Sequence, residues 1–348
     1  MSETYSKGSH YKKYMVAFGI LALLSIILAV GLGPVSVSPL TVLQILTSKL
    51  PFLHDVVEMS WQARDENIIL SLRLPRVLLG MIVGASLAVT GVTLQALVRN
   101  KLADPFILGV SSGASATATL GMLFGAFSFL GSYYLPISAF IGSFIVIILV
   151  YSLARVNGRI NITQLLLSGV AINLIMEAIT RLITLSAPNA LGIHNATFWM
   201  AGSLAGAKWA YLTLPLLVML ICMTILLIQN RALNTLLLGD ETAETLGFNV
   251  RFMQKLLIVI ASLLTGVTIA VSGAIGFVGL MVPHMTRLIV GSDHKKVLPV
   301  SALIGGILVV WTDVAARMVI APEELPIGVL TAIVGGPFFI WLLKRRKN

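Results

Sequence analysis

Three arginines at the predicted ends of apolar segments are the residues best suited to recognise an acidic partner. Arg73 and Arg76 precede one such segment, and Arg317 ends another. The planar guanidinium group of arginine binds carboxylates through paired hydrogen bonds. A lone arginine more often anchors a helix at the membrane surface. Three at one rim favour a cationic patch that receives an acidic protein or an anionic solute.

Two carboxylates each lie four residues before an arginine, where they could neutralise it across one helical turn. Glu177 precedes Arg181, and Asp313 precedes Arg317. For Glu177 and Arg181 we expect this internal pairing. For Arg317 we expect instead that the guanidinium group remains available to a partner.

A second group of polar residues interrupts the apolar pattern between Arg231 and Lys255. Its carboxylates begin at Asp240, which suits the N-terminal end of a helix, and Gly247 is a natural helix end. The pattern predicts two short helices lying flat at the membrane surface, with leucines free to contact a partner. A plain interfacial linker is the alternative. The leucines are Leu237, Leu238 and Leu246.

The chain shows no motif for catalysis of its own. It lacks the G-x-x-x-x-G-K-(S/T) phosphate loop of many ATPases. Its histidines are dispersed, and His284, within an apolar run, favours a structural hydrogen bond. The single Cys222 excludes an intrachain disulfide and a multi-cysteine metal site. We therefore expect no bound metal and no cofactor.

The elements that position these residues must be membrane helices. Of 348 residues, 57% are hydrophobic and only 11% charged, which is too little charge to cover a soluble surface. At roughly 20 apolar residues per crossing, the sequence predicts an all-α membrane protein with about ten spans. They are 15–33, 72–92, 106–127, 135–154, 162–185, 209–229, 253–274, 276–291, 297–317 and 327–343.

The distribution of basic residues predicts the orientation of these spans. Most of the 24 Lys and Arg fall on one side when both termini are placed in the cytoplasm, as the positive-inside rule requires. The three arginines of the rim then face outward. We treat 1–348 as one membrane domain, with a cytoplasmic tail at 1–14, polar helices at 231–252 and a basic tail at 344–348.

A weak internal repeat connects the two halves of the chain. Gly84–Val92 and Gly266–Ala274 share the pattern G-x-x-(L/I)-A-V-(T/S)-G-(V/A). Under the predicted orientation the two copies run in opposite directions, as in the inverted repeats of transporters. Close helix packing through small residues is the alternative explanation.

Several longer motifs resemble one known family throughout the chain. LRLPR at Leu72–Arg76, QALVRNKLADPFILGVSSGA at Gln95–Ala114 and GAIGFVGLMVPHMTRLIVGSDHK at Gly273–Lys295 are similar to the permeases of the FecCD group. ELPIGVLTAIVGGPFFIWLL at Glu324–Leu343 is similar too. The resemblance implies the fold of a type II ABC importer permease, with ten transmembrane helices in each of two subunits around a central pathway.

The resemblance also implies roles for individual residues. Arg73, Arg76 and Arg317 would receive a binding protein. Leu238, Gly239, Asp240, Glu241, Ala243, Leu246 and Gly247 would couple the permease to an ATPase. Asn161, Ile162, Thr163, Asn100 and Leu102 would form the cytoplasmic gate, and Gly169 and Asn173 would line the pathway. The chain departs from the family pattern at Lys101, where proline is common, and at Ile162, where a small polar residue is common.

The implied partners are a second permease subunit, identical or paralogous, two ATPase subunits that hold ATP and Mg, an extracytoplasmic binding protein and membrane lipid. Nucleic acid is not expected. The implied location is the plasma membrane of a bacterium or archaeon. A ferric siderophore is the expected cargo, with haem and vitamin B12 left open.

A transporter of another class remains an alternative. An ion-coupled secondary transporter needs ionisable groups at membrane depth, and Glu177, Asp313 or His284 could supply a relay. Uptake driven by an ion gradient without an ATPase would distinguish the two classes.

Overall fold

The computed structural model describes residues 11–35, 37–49, 61–156 and 159–345. The described chain is almost entirely helical, as predicted. A two-residue antiparallel hairpin, β1 (Arg155–Val156) and β2 (Arg159–Ile160), is the departure from an all-α chain. It joins two long helices.

Fifteen α-helices occur within the described ranges. They are α1 (Tyr11–Gly31), α2 (Pro39–Ser48), α3 (Ala63–Asn67), α4 (Leu74–Val98), α5 (Val110–Phe124), α6 (Tyr134–Ala154), α7 (Ile162–Leu185), α8 (Ala190–Met200), α9 (Thr213–Ile228), α10 (Asn230–Leu236), α11 (Asp240–Thr245), α12 (Val250–Ser272), α13 (Val278–Val290), α14 (His294–Met318) and α15 (Ile327–Arg345). A π-helical segment, Ile68–Arg73, connects α3 to α4, and short 3₁₀ segments occupy Pro105–Leu108, Ser128–Tyr133 and Trp209–Tyr211.

Seven helical segments of the described chain are long and apolar enough to cross a membrane: Tyr11–Gly31, Ala63–Val98, Ser128–Ala154, Ile162–Leu185, Trp209–Ile228, Val250–Ser272 and His294–Met318. The other three predicted spans correspond to α5, α13 and α15. Both α5 and α13 are shorter, with 15 and 13 residues. Helix length therefore supports seven of the ten predicted crossings, and the full number stays a prediction.

Helix α4 forms the centre of the bundle and packs against α12, α13 and α14. Glycines let it approach two of these neighbours closely. A Cβ atom added at Gly84 would lie 2.1 Å from the Gly305 carbonyl oxygen, and one at Gly91 would lie 1.8 Å from that of Gly279. The first copy of the sequence repeat thus serves helix packing, and an inverted symmetry between the copies stays a prediction.

Three short helices, α2, α3 and α8, were not anticipated from the apolar pattern. Of these, α2 and α8 each follow a capping residue that the sequence does show. Ser38 accepts a hydrogen bond from the Thr41 amide at 3.1 Å, and Asn189 accepts one from the Gly192 amide at 2.6 Å. Because capping side chains satisfy the free amides of a first turn, these caps could have revealed both helices.

Candidate functional site

The arginine cluster consists of Arg73, Arg76 and Arg317 with the carboxylates Asp313 and Glu324. It lies where α1 ends, α4 begins and α14 ends. Arg73, in the last turn of the π-helical segment, donates from Nη1 to the carbonyl oxygens of Val30 and Gly31 at 3.2 and 2.9 Å. It therefore supplies donors to the free carbonyls at the C-terminal end of α1.

Arg76 joins α4 to α14 through two carboxylates. Its Nε and Nη2 donate to Oδ1 of Asp313 at 3.0 and 2.9 Å. Its Nη1 and Nη2 each donate to an oxygen of Glu324 at 2.9 Å. This forked pairing is among the stronger side-chain contacts in proteins, so Arg76 fixes the connection between α14 and α15 against α4.

Arg317 contacts the same aspartate, at Oδ2, to which Nε of Arg76 also donates at 3.1 Å. Its Nε lies 3.1 Å from Oδ2 of Asp313, and its Nη1 donates to the Leu32 carbonyl oxygen at 3.2 Å. Asp313 is thus shared by two guanidinium groups. The expectation that Asp313 leaves Arg317 free is wrong, because one turn of helix brings the two groups into contact.

The arginines lie together, as predicted, but they do not form an exposed patch. Arg73, Arg76 and Arg317 are 6%, 8% and 3% exposed. The expectation of exposed guanidinium groups is wrong, because helix-end carbonyls and two carboxylates already occupy them. With three cations and two carboxylates, the cluster keeps one positive charge that no carboxylate balances. Glu324, whose side chain is 29% exposed, is its accessible edge.

The prediction of an ion pair between Glu177 and Arg181 is also wrong. Oε1 of Glu177 accepts a hydrogen bond from Asn173 at 3.1 Å. A contact of Glu177 with Asn173 and one with Arg181 would each span one turn of α7, so helix geometry allows either. Glu177 pairs with Asn173, one turn before it, and Arg181 is exposed.

The ledge, which we define as residues 230–247, comprises α10, α11 and the turns that follow them. The prediction of two short helices is confirmed. Gly239 and Gly247 adopt φ values of +108° and +85°, which glycine tolerates best. Leu238 is 65% and Leu246 59% exposed, so the ledge presents apolar side chains that no part of the described chain covers.

Two polar contacts fix the ledge to the long helices. Arg99, which follows α4, forms an ion pair with Asp240 at 3.2 Å. Asn234 of α10 accepts a hydrogen bond from the His294 amide at 3.0 Å and donates to Asp293 at 2.9 Å. The Nδ1 atom of His294 lies 2.6 Å from the same amide oxygen. This contact between distant residues was not predicted, although Asp293 before α14 is a capping signal visible in the sequence.

The arginine cluster and the ledge lie at opposite ends of α14. His294, at its start, contacts α10, and Arg317 lies 23 residues further along. At about 1.5 Å per residue this is roughly 35 Å, slightly more than the roughly 30 Å hydrocarbon core of a bilayer. The cluster and the ledge therefore face opposite sides of the membrane.

The predicted gate residues lie in two turns at the ledge end of the bundle. Asn161 caps α7 by accepting a hydrogen bond from the Gln164 amide at 3.1 Å. Asn100 accepts one from the Leu102 amide at 3.0 Å. Thr163 is exposed and Ile162 half-buried. Both asparagines thus shape turns, and a constriction formed between the turns stays a prediction.

Of the two predicted pathway residues, Gly169 is placed differently by the structure. A Cβ atom there would lie 2.2 Å from the Ile107 carbonyl oxygen, so Gly169 packs inside the subunit against the segment Pro105–Leu108. Asp104 caps that segment through the Phe106 amide at 2.8 Å, and burial raises the pKa of its carboxyl group. Asn173 is half-buried.

The opposite face of α7 is largely uncovered. Leu167, Leu174 and Leu182 are 66%, 61% and 66% exposed. Their spacing of seven and eight residues places them along one side of the helix. This apolar stripe is the part of α7 available to a second subunit or to a pathway between subunits.

A cavity of about 560 Å³ opens at the same end of the bundle as the arginine cluster. Its lining includes Phe198, Trp199, Lys208 and Tyr211, and the ammonium group of Lys208 lies 5.8 Å from the centre of the Tyr211 ring. Aromatic faces with one cation can hold a planar or anionic molecule. The aromatic residues around 198–211 were the sequence signal for it.

Comparison with known proteins gives concordant results. The FecCD transport family matches residues 21–345. The chain is 39% identical over 335 residues to the hemin transport system permease protein of Yersinia pestis, covering 95% of this chain and 96% of that protein. It is 42% identical over 289 residues to the Fe(3+) dicitrate transport system permease protein of Escherichia coli K12, covering 82% and 89%. A solved transporter of the metal-chelate ABC type, in an inward-facing conformation, superposes with a TM-score of 0.81 at 30% identity, covering 96% of this chain and 99% of that one.

Proposed function

The chain belongs to the FecCD transport family, and from this premise we propose that it moves a ferric siderophore across the plasma membrane of a bacterium or archaeon. It is a multi-pass membrane permease of a type II ABC importer, a class that carries iron chelates, haem, vitamin B12 or siderophores. It is a transport subunit rather than an enzyme. The proposal concerns which of these cargoes it carries and how.

The similarity to a permease named for ferric dicitrate supports an iron chelate as cargo. Haem is the second candidate, because the relative named for hemin is similar along almost the whole of both chains. The aromatic and cationic lining of the 560 Å³ cavity suits either class.

The observation that supports the mechanism is that the arginine cluster and the ledge lie at opposite ends of α14. An extracytoplasmic binding protein docks at the end with the arginine cluster. An ATPase subunit docks on the ledge, where Leu238, Glu241 and Leu246 meet it. ATP and Mg bind the ATPase and not this chain, and closure of the ATPase dimer moves the ledge.

The arginine cluster contributes to docking through shape and net charge rather than through free guanidinium groups. Arg73, Arg76 and Arg317 hold the ends of α1, α4 and α14 in a fixed arrangement, and their single unbalanced positive charge attracts an acidic carrier. Glu324 is the group of the cluster that such a carrier would meet first, because its side chain is the most exposed.

The pathway runs between two permease subunits, identical or paralogous, whose α7 helices face each other. The exposed stripe of α7 and Asn173 line it, while Gly169 lets α7 pack closely against its own subunit. The turns at Asn100–Leu102 and Asn161–Thr163 close it at the ledge end. Movement of the ledge reaches these turns through the Arg99–Asp240 ion pair.

Transport in proteoliposomes tests this function. The chain is reconstituted with its ATPase and binding protein, and uptake of a ferric siderophore, hemin and cobalamin is compared with and without ATP. We expect ATP-dependent uptake of the siderophore and none driven by a proton or sodium gradient alone. Hemin uptake at a higher rate would favour the second candidate. Gradient-driven uptake without an ATPase would establish a secondary transporter instead.

A relay through Asp313 has little structural support. Its carboxylate contacts Arg76 and Arg317 together, so both of its oxygens are already bound within the subunit. Glu177 is exposed on α7, and His284 packs edge-on against Phe338. A proton or sodium relay through these three residues therefore has less structural support than the ATP-driven mechanism.

A further inference from the structure

A groove runs along the surface between α6 and α12. At membrane depth it contains a cavity of about 120 Å³ with an almost wholly apolar lining, which includes Phe144 and Ile147 of α6 and Val259 and Leu263 of α12. The two helices are in close contact at the end of this cavity farther from the ledge. A Cβ atom added at Gly266 would lie there 3.5 Å from the Cβ atom of Ser143. Phe144 and Val259 are 54% and 53% exposed, so this part of the groove is open to the surroundings.

The groove continues into a polar cavity of about 290 Å³ at the ledge end. Tyr151 lines this second cavity one turn after Ile147, and Lys255 lines it one turn before Val259. Residues four apart lie on the same face of a helix. The two cavities therefore form a single groove, apolar at depth and polar at its end.

The polar end carries cations without partners. Arg155, Arg251 and Lys255 line it and are exposed, and within residues 11–35, 37–49, 61–156 and 159–345 none of the three forms an ion pair. The nearby Asp240 is already bound to Arg99 and Gln254. The positive end of the α12 dipole adds to the imbalance.

Glu244 is an acidic group of the ledge that lies beside one of these cations, Arg251. It lines, with Arg251, a separate shallow cavity beside the ledge, and it forms no ion pair with that arginine within the described chain. The groove thus combines an apolar channel with an uncompensated basic end. A solvated basic surface would need no apolar channel below it.

The length of the groove matches one membrane leaflet. From Lys255 to Gly266 is 11 residues along α12, or about 16 Å at 1.5 Å per residue, and half of the roughly 30 Å hydrocarbon core is about 15 Å. We propose that the groove binds one anionic phospholipid. Its phosphate lies between Arg155 and Lys255, and one acyl chain follows the apolar channel between α6 and α12. Basic pockets between membrane helices are suited to such headgroups.

Titration of the purified full chain with lipid, followed by native mass spectrometry, tests the site. The probes are dioleoyl phosphatidylglycerol, dioleoyl phosphatidylcholine and water-soluble glycerol 3-phosphate. We expect phosphatidylglycerol to bind more tightly than phosphatidylcholine. The double variant R155A/K255A should weaken phosphatidylglycerol binding roughly 25-fold, since each basic residue near the surface contributes about 1 kcal/mol.

Two further variants separate the headgroup from the chain. Val259→Trp fills the channel from an exposed position and should weaken binding of both lipids. The control R231A/K295A removes two exposed cations at the same end of the bundle that line neither cavity, and it should bind lipid as the parent chain does. Thermal unfolding of each variant verifies that it is folded.

Four results would overturn the proposal. Equal affinity for the two lipids would remove the role of charge, as would an R155A/K255A variant that behaves like its control. Unchanged binding by Val259→Trp would place the acyl chain elsewhere. Displacement of phosphatidylglycerol by glycerol 3-phosphate at equal concentration would mean a site for free phosphate.

Discussion

Arg76 and Asp313 lie 237 positions apart in the sequence and form a buried, forked ion pair, in which Nη2 donates to Oδ1 at 2.9 Å and Nε donates to Oδ2 at 3.1 Å. The pair joins the start of α4 to the end of α14. Because Asp313 also binds Arg317, which donates to the Leu32 carbonyl oxygen after α1, its carboxylate connects α4 and α14 directly and the end of α1 through Arg317. The pair is therefore first a structural element, and its effect on docking is indirect.

Removing one partner of this pair should destabilise the permease. We expect Asp313→Ala to lower the free energy of unfolding by about 3–5 kcal/mol, because two buried guanidinium groups lose their shared carboxylate. Thermal unfolding in detergent measures the change. Arg64→Ala, an exposed arginine in α3 near the same end, serves as the control and should stay within about 0.5 kcal/mol. Equal stability of D313A and R64A would contradict the structural role.

Neutralising Glu324 should strengthen binding of an acidic carrier. Glu324→Gln leaves the amide able to contact Arg76 and raises the net charge of the cluster by one. We expect the affinity of the binding protein to rise about threefold at low salt, and the gain to shrink at high salt as screening grows. Surface plasmon resonance at two ionic strengths measures both.

The neighbouring Glu323 provides the matched control for this change. Glu323 is exposed and adjacent in sequence, but the ion pair with Arg76 belongs to Glu324. Glu323→Gln should have the smaller effect. An affinity that falls in Glu324→Gln would mean that this carboxylate itself binds the carrier. The docking surface of the carrier would then be basic, and the proposal of an acidic carrier would be wrong.

Placing a charge on the ledge should weaken ATPase assembly without unfolding the permease. Leu238 is 65% exposed, so Leu238→Asp removes little packing within the permease. We expect at least a tenfold loss of ATPase affinity, as is usual when an apolar anchor of an interface becomes charged. Pull-down at graded ATPase concentrations measures it. Leu191→Asp, at a 71% exposed position of α8, should leave assembly intact, and equal losses in both variants would exclude a specific ledge.

Asn234→Ala should separate ATP hydrolysis from transport. The variant removes the contacts of α10 with Asp293 and His294, so movement of the ledge reaches α14 less directly. We expect a stability loss of about 1–3 kcal/mol from the unpaired groups and a severalfold fall in cargo moved per ATP. Thr235→Ala on the same helix removes only a hydrogen bond to the Arg231 carbonyl and should keep the parent ratio. An unchanged ratio in Asn234→Ala would remove the contact from the coupling path.

Much of the architecture was predictable because membrane helices follow local rules. An apolar segment in lipid satisfies its backbone within one helix, so the seven long spans appear directly in the sequence. The ledge was predictable for a similar reason, since the acidic start at Asp240 and the glycine at Gly247 bound a short helix locally. The short α5 and α13 were harder, because packing in the bundle rather than their length gives them their place.

The candidate site was predictable only in part. That Arg73, Arg76 and Arg317 lie at the same end of the bundle was predictable, whereas their burial was not. Whether a guanidinium group meets water or a carboxylate depends on residues hundreds of positions away, such as Glu324 for Arg76. For the same reason Gly169 was assigned to the pathway, although the Ile107 carbonyl oxygen leaves no room there for a side chain.

The amino-acid sequence was enough to establish that this chain is a membrane protein, which family it belongs to and roughly where its long helices and polar ledge lie. These properties follow from composition and from interactions within a few turns of helix. The tertiary structure alone decided which charges are paired, which face of α7 is free and how α6 and α12 enclose a groove. Such features depend on contacts between distant segments, which no local pattern contains.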